Sequence, residues 1–256
     1  MEAIVLAGGL GTRMREETDF RPKPMVDVGG RPVLWHIMKH LSVHGVSHFV
    51  VALGYKGSMI REYFLNYRSF TNDFTLKLGD PDFLTVHGQH DEGDWVVTLV
   101  DTGLSTNTGG RVKQAAAFTS GPEVLMVYGD TLADVNVTEL QRSHARSGAE
   151  VTVTAVQPTS RFGVLDLDEH GRVSEFIEKP RMREWVSIGY MIMSRPFLDA
   201  LPDDAVLEDR PLSQAAESGQ MHAFRHEGFW QPMDTYREYV ELNRLWDEGQ
   251  PPWKTW

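Results

Sequence analysis

A chain of 256 residues, 41% of them hydrophobic, is long enough to bury a sizeable core, and no low-complexity linker divides it. Its 36 acidic against 25 basic residues, a formal charge of −11, exclude nucleic acid or an anionic membrane surface as the main partner, so any phosphate must be met by a local basic pocket. The chain has no cysteine, hence no disulfide and no thiolate chemistry, and no apolar run approaches the roughly 18 residues a membrane span needs. With Met1 leading straight into a core strand, no signal peptide is expected and a cytoplasmic location follows.

Ala3-Ile4-Val5-Leu6-Ala7 predicts a buried strand that breaks into Gly8-Gly9-Leu10-Gly11-Thr12-Arg13. Glycines at 8, 9 and 11 permit positive φ and bring bare N–H groups against an anion, while Thr12 adds a hydroxyl and Arg13 a charged fork. The loop is shaped for phosphates. Met14 stands where a dinucleotide fingerprint needs its next glycine, and the Gly-Lys-Ser/Thr of the NTPase phosphate loop is absent. Arg21-Pro22-Lys23-Pro24-Met25 then sets a lysine between two prolines, which reduces the entropy lost in aiming one ammonium group. A tight turn with a surface lysine would account for the glycines but not for Pro-Lys-Pro.

Residues 26–32 read as a short strand and turn, and Pro32 suits the first turn of a helix through His44 whose apolar face is Val33, Leu34, Ile37, Met38 and Leu41. His36, His40 and His44 on that helix have a spacing found in metal sites and, far more often, in polar stripes. Phe49–Leu53 predicts a second buried strand, residues 54–57 a loop, and Ser58–Tyr67 a helix capped by Ser58. Strand, helix, strand, helix implies right-handed crossovers and a parallel sheet. Asp73–Leu78 reads as an edge strand and His87–Asp94 as an exposed connection. Trp95–Asp101 is a strand, followed by a loop to Gly110 at the carboxyl end, where open α/β sheets bind ligands, and by a helix from Arg111 to Phe118. Arg111 is either a nucleotide contact or a plain helix-start residue.

Val124–Tyr128 is the most strand-like run in the middle of the chain and ends in Gly129-Asp130. An aspartate there is placed to hold a hard cation against phosphates; the alternative is a helix cap. A helix over 137–147, a strand over 150–156 and a hairpin pairing 163–167 with 173–178 come next. Glu178-Lys179-Pro180 closes the hairpin, with Lys179 either offering a cation to a second phosphate or marking an exposed strand end. Residues 187–193 read as a buried strand, 196–200 and 211–218 as helices, 221–224 as a strand. The cluster His226–Thr235 is a rigid wall of aromatics, proline and carboxylates, in which Asp234 is a candidate second ligand for a cation held by Asp130. A terminal helix over 235–248 carries Tyr239, Leu242, Leu245 and Trp246 on one face, and the closing Pro252-Trp253-Lys254-Thr255-Trp256 is a candidate contact surface.

GGLGTR, the acidic patch Glu16-Glu17 and PKPM together resemble the signature of sugar-phosphate nucleotidyltransferases. The longer series LAGGLGTR, EET, PKPMV, PVLWHIMK, SVHG, GYKG, VTLVDTG, TGGR, YGD, RFG, EKP, GFWQPMDT and PWKTW is similar, in order and from end to end, to the glucose-1-phosphate cytidylyltransferases within that family. The resemblance implies a nucleotide-diphospho-sugar transferase fold: α/β, with a Rossmann-like mixed, mainly parallel sheet flanked by helices and a small β-rich extension. It implies one domain whose residues 1–135 form the nucleotide-binding half and 136–256 the sugar-phosphate-binding half with the C-terminal helix. It also implies CTP and α-D-glucose 1-phosphate as small-molecule substrates, CDP-glucose and diphosphate as products, Mg²⁺ as cofactor, no nucleic acid or membrane partner, and a homo-oligomer.

Carried over residue by residue, the resemblance puts nucleotide binding on Leu6, Ala7, Gly8, Gly9, Leu10, Gly11, Thr12 and Arg13, with Thr106, Arg111 and Gly129. It puts Lys23 at the phosphates, catalysis on Lys23, Arg13 and Asp130, further substrate contacts on Glu178, Lys179 and Gly189, and Mg²⁺ on Asp130 and Asp234. Two positions depart from the pattern: Ser187-Ile188-Gly189 replaces the usual Asn-Gly-Gly, which predicts a smaller and more apolar sugar pocket, and Thr131 replaces a glycine beside Asp130. The same chemistry on another sugar 1-phosphate or with UTP or dTTP, and a non-catalytic nucleotide-sugar-binding protein, are the competing readings; intact Lys23, Asp130 and Asp234 argue against the last.

Overall fold

Glu2–Ala7 forms β1, whose Ala3, Val5 and Ala7 point into one apolar core and whose Ile4 and Leu6 point into another. A strand apolar on successive residues must be covered on both faces, which is how parallel α/β sheets are built. The computed structural model describes residues 1–256 apart from the side chains of Arg15, Glu16 and Pro81; the expectation placed on Glu16 lies outside the described residues. The chain continues through α1 (Arg15–Thr18), a 3₁₀ turn at Lys23–Met25, β2 (Asp27–Val28), β3 (Arg31–Pro32), α2 (Val33–Val43), β4 (His48–Leu53), α3 (Gly57–Leu65) and α4 (Tyr67–Thr71). Then come β5 (Asp73–Lys77), β6 (Asp80–His87), β7 (Val96–Asp101), α5 (Thr108–Ala116), β8 (Glu123–Tyr128), β9 (Thr131–Ala133), α6 (Val137–Ser147) and β10 (Val151–Val156). The last part holds β11 (Val164–Leu167), β12 (Val173–Ile177), β13 (Val186–Ser194), α7 (Arg195–Ala200), α8 (Arg210–Glu217), β14 (Met221–Arg225), β15 (Trp230–Pro232) and α9 (Tyr236–Asp247).

The central sheet has seven strands in the order β14-β10-β13-β8-β1-β4-β7. β13 runs antiparallel to both neighbours, and the other pairs are parallel, so the sheet is mixed and mainly parallel as expected. From β1 the chain moves outward to β4 and β7, then returns to the other side of β1 as β8. That reversal opens a crevice at the carboxyl ends of β1 and β8, the place where sheets of this kind take ligands. The loops leaving these two strands are Gly8–Arg13 and Gly129–Asp130.

Several elements differ from the sequence reading. Ser58 does not cap its helix: α3 starts at Gly57 behind Lys56, a non-glycine residue held at φ 50°, and the chain turns again at Asn66 so that Tyr67 begins α4. Asp73–Lys77 is no edge of the main sheet but pairs only with β6, forming a hairpin that stands apart, as β11 and β12 do. The stretch 87–94 is not wholly exposed, because Glu92 turns inward and accepts a 2.9 Å hydrogen bond from the buried Lys39 ammonium on α2. The helix expected from Arg111 begins earlier, at Thr108, so Arg111 sits inside its first turn.

In the terminal Pro-Trp-Lys-Thr-Trp, expected as a contact surface, the two tryptophans instead turn onto the protein's own core while Pro252, Lys254 and Thr255 stay exposed. Trp253 is fully buried, its indole N–H donates to His36 Nδ1 (3.3 Å), and Trp256 meets Trp35 edge to face at 5.6 Å. The histidines on α2 are likewise no surface stripe. His36 Nε2–H donates to the Val28 carbonyl (2.8 Å), and His40 bridges the Val135 carbonyl (2.9 Å) and the Thr255 hydroxyl (2.9 Å). In His36 one nitrogen donates and the other accepts from an N–H, an arrangement that only the neutral imidazole satisfies.

Burial pushes the pKa of His36 and of His40 down from 6.5 to about 4. Between those values the unfolded chain binds more protons than the folded one, so stability declines as pH falls from the unfolded value through the folded one. His226 has the opposite sign: burial opposes its charge, yet Asp134 at 3.1 Å and the Phe229 carbonyl raise its pKa. The two α2 rings outnumber it, and we predict a thermal midpoint that drops steadily from pH 6.5 to 4. Replacing His40 with glutamine should flatten that slope; a slope unchanged by the substitution would mean that His40 is not the group being titrated.

Candidate active site

The crevice contains a cavity of about 380 Å³ lined by Leu6 through Arg13, Lys23, Pro24, Leu104, Thr106, Asn107, Thr108, Arg111, Tyr128 and Asp130. This volume is within the range of small-molecule sites. Of the three loop glycines only Gly11 takes positive φ, at 63°. Gly8 is required for a different reason: a Cβ there would lie 2.2 Å from a terminal nitrogen of Arg111. Arg111 is 6% exposed, and its guanidinium donates to the Leu53 carbonyl (3.0 Å), the Thr102 hydroxyl (2.7 Å) and the Leu104 carbonyl (3.2 Å). Burial pulls it below the usual arginine range. Arg111 thus ties the end of β4 to the loop after β7, which lines the cavity at Leu104, through its own hydrogen bonds. Gly8→Ala should overpack this contact and cost about 1–3 kcal/mol, read as a lowered denaturation midpoint.

Lys23 reaches the crevice from the 3₁₀ turn, whose Pro22 holds φ −67° and whose Met25 N–H bonds back to the Pro22 carbonyl at 2.8 Å. Its side chain is buried, and its ammonium group donates to Asp130 Oδ2 and to Asp234 Oδ1, each at 2.6 Å. Arg13, exposed on the loop, pairs with the other oxygen of Asp234 at 2.8 Å. Positions 130 and 234 meet because β9 and β15 form a two-stranded ribbon in which Thr131 faces Pro232 and Ala133 faces Trp230. The ribbon continues with Met233 N–H donating to the Asp130 carbonyl at 3.0 Å, so both aspartates leave its same end. Asp130 caps no helix, since β9 follows it directly. Thr131, the bulkier residue beside it, donates its hydroxyl to Asp130 Oδ1 at 3.2 Å.

Thr106 lines the cavity and Gly129 closes beside it, its N–H donating to the Leu6 carbonyl at 2.9 Å. Gly189, at φ 76°, lies behind the wall: a Cβ there would fall 2.0 Å from the ring of Tyr128, which does line the cavity. Glu178 and Lys179 are not brought into the lining. Both are exposed at the end of β12, 3.6 Å from each other. Sequence reading did not place Pro24, Asn107 or Tyr128 in the site: Pro24 and Tyr128 were read as members of PKPM and YGD, and all three enter the wall through the packing of the Lys23 turn, the loop before α5 and β8.

Asp130 and Asp234 present hard oxygen donors converging on one positive charge, the chemistry a divalent cation takes up. Among the described residues no group of three or more histidine, aspartate or glutamate side chains is arranged to hold a metal. Two carboxylates with the remaining ligands supplied by phosphates and water is the usual pattern for Mg²⁺, so the residues fit such an ion.

The chain matches the nucleotidyl transferase family over residues 2–246. The chain belongs to that family. Within it, the chain is 45% identical over its full length to glucose-1-phosphate cytidylyltransferases from Salmonella typhi and Salmonella typhimurium, each also covered in full. The crystal structure of HddC from Yersinia pseudotuberculosis aligns with a TM-score of 0.71 at 22% identity, covering 96% of this chain and 99% of that one, and supports the fold. The residues lining the cavity all fall within the matched range, and among the described residues no helix is long and apolar enough to cross a membrane.

Proposed function

We propose that the chain transfers the cytidylyl group of CTP to α-D-glucose 1-phosphate, forming CDP-glucose and diphosphate. The observation that carries this reading is the convergence of Lys23, Arg13, Asp130 and Asp234 beside the glycine loop. The 45% full-length likeness to the Salmonella cytidylyltransferases supports the choice of substrates.

A phosphate oxygen of the sugar phosphate attacks the α-phosphorus of CTP in line; the new P–O bond forms as the bond to the β-phosphate breaks, and diphosphate leaves. The nucleophile is already ionised, so no general base is needed, and the work left to the protein is alignment and neutralisation of negative charge. The N–H groups of residues 8–13 cradle the phosphates, while Lys23 and Arg13 supply cations aimed at them. Asp130 and Asp234 would hold Mg²⁺, whose contribution when bound is to neutralise phosphate oxygens. Arg111 keeps the wall in place, and Thr106 and Gly129 complete the nucleotide side. In this reading residues 1–135 serve the nucleotide and 136–256 the sugar phosphate, with Glu178, Lys179 and Gly189 on the sugar side.

The chain acts in the cytoplasm as a homo-oligomer; support for self-association comes from the hairpins, whose Phe74, Leu84, Val164 and Phe176 face solvent on ribbons too thin to stand alone. Diphosphate release measured with CTP, UTP, dTTP and GTP against a panel of hexose 1-phosphates tests the reaction. CTP-dependent release with glucose 1-phosphate is expected. Release with another base or sugar alone would replace the assigned substrates, and binding without release would remove the enzymatic role.

A further inference from the structure

The contacts around Asp234 continue outward from the cavity. Asp234 lies between β15 and α9, with both carboxylate oxygens engaged by Lys23 and Arg13. Its backbone N–H donates to Glu238 Oε2 at 2.7 Å, and the next N–H, of Thr235, donates to the same oxygen at 2.9 Å. A capping box needs only the second of these bonds, with Thr235 Oγ1 accepting from the Glu238 N–H in return, here at 3.4 Å. The bond to residue 234 is additional, and it fixes the peptide plane from which that side chain projects.

Glu238 is 8% exposed, a burial that a carboxylate tolerates only when paired. Its second oxygen is taken by the Arg161 guanidinium, which reaches in from the Arg161-Phe162-Gly163 segment leading into β11. One unbroken line therefore runs from the β11–β12 hairpin through Arg161 and Glu238 to Asp234, and from there to Lys23 and Arg13.

We propose that Glu238 is a positioning residue for Asp234, holding its carboxylate toward the cation and phosphates, and that Arg161 is the counter-charge that keeps Glu238 in place. The assignment rests on the reading of the site given above. It gives a role to the Arg-Phe-Gly segment and to the buried glutamate of α9, neither of which touches the cavity.

The test compares Glu238→Ala, Glu238→Gln and Thr235→Ala in the full-length chain, with Asp234→Asn as reference. Mn²⁺ binding is followed by electron paramagnetic resonance with and without CTP, alongside the Mg²⁺ concentration that half-saturates turnover. Glu238→Ala should weaken Mn²⁺ binding and raise the Mg²⁺ requirement by about 10- to 100-fold, the range for residues that orient a metal ligand. Glu238→Gln keeps an acceptor for both N–H groups and should recover most of the loss. Thr235→Ala removes the reciprocal cap and lowers the thermal midpoint, yet leaves the Asp234 bond intact and should not change Mn²⁺ affinity.

Equal Mn²⁺ affinities in Glu238→Ala and Thr235→Ala would overturn the positioning role, as would wild-type binding that Asp234→Asn does not weaken. If Glu238→Ala does not fold, Arg161→Met probes the same line from outside, and Mn²⁺ affinity equal to wild type would count against it. A wild-type protein that binds Mn²⁺ through Asp234 but releases no diphosphate would defeat the catalytic reading and leave the positioning result standing.

Discussion

Lys23→Ala lowers the turnover number by about 10²-fold or more, the loss typical of removing one charge-stabilising donor from a preorganised site. The ammonium is buried, carried on a short turn between two prolines, and 2.6 Å from each of two carboxylates that no neighbouring element could bring together without the β9–β15 ribbon. In the proposed reaction negative charge grows on the phosphates at this end of the cavity, and a donor already in place loses no energy to reorganisation as it does so. Arginine should not rescue the activity, because its planar fork cannot occupy the point between Asp130 and Asp234 that one ammonium fills. The variant is expected to fold, since Asp130 and Asp234 remain partly open to water, and circular dichroism would establish this. Steady-state kinetics giving an unchanged turnover number would take Lys23 off the catalytic list.

Trp253→Ala is expected to have the largest effect on stability. Removing a fully buried tryptophan costs about 3–5 kcal/mol, or roughly 10 °C in the melting temperature of a chain this size. The loss has two parts. The indole fills space against Phe229 at 5.6 Å between ring centres, and its N–H is the donor that His36 Nδ1 accepts. Without it a buried acceptor is left unpaired, itself worth about 1–3 kcal/mol. Trp253→Phe restores most of the packing but not the N–H, so the difference between the two variants in chemical denaturation isolates the hydrogen bond. A melting temperature within about 2 °C of wild type for the alanine variant would mean that the tail does not hold α2.

Most strands and helices of the central sheet were legible because their signals are local. β1, β4 and β8 are runs of apolar residues ended by glycine, and α6 begins and ends where its asparagine cap and Gly148 place it. The β11–β12 hairpin was readable as a hairpin, but β5 was read as an edge strand and β6 was not read as a strand, since a run of alternating residues does not say which edge it joins. Ser58 failed as a cap because Lys56 can take the left-handed conformation and start the helix one residue earlier. Glu238 had a signal in Thr235-x-x-Glu238, but only the fold shows that the same carboxylate also holds residue 234.

From the sequence alone one can derive the α/β class, the phosphate-shaped loop at the end of β1, the lysine stiffened by prolines and the two candidate aspartates, because each depends on neighbours a few positions away. The meeting of Asp130 with Asp234, the brace that Arg111 makes under Gly8, the exclusion of Glu178 and Lys179 from the cavity lining and the burial of the terminal tryptophans were decided by the tertiary structure. These contacts join residues as distant in the chain as His36 and Trp253, 217 positions apart. Which of many chemically suitable partners meet is settled by strand order and packing, to which no local pattern of residues refers.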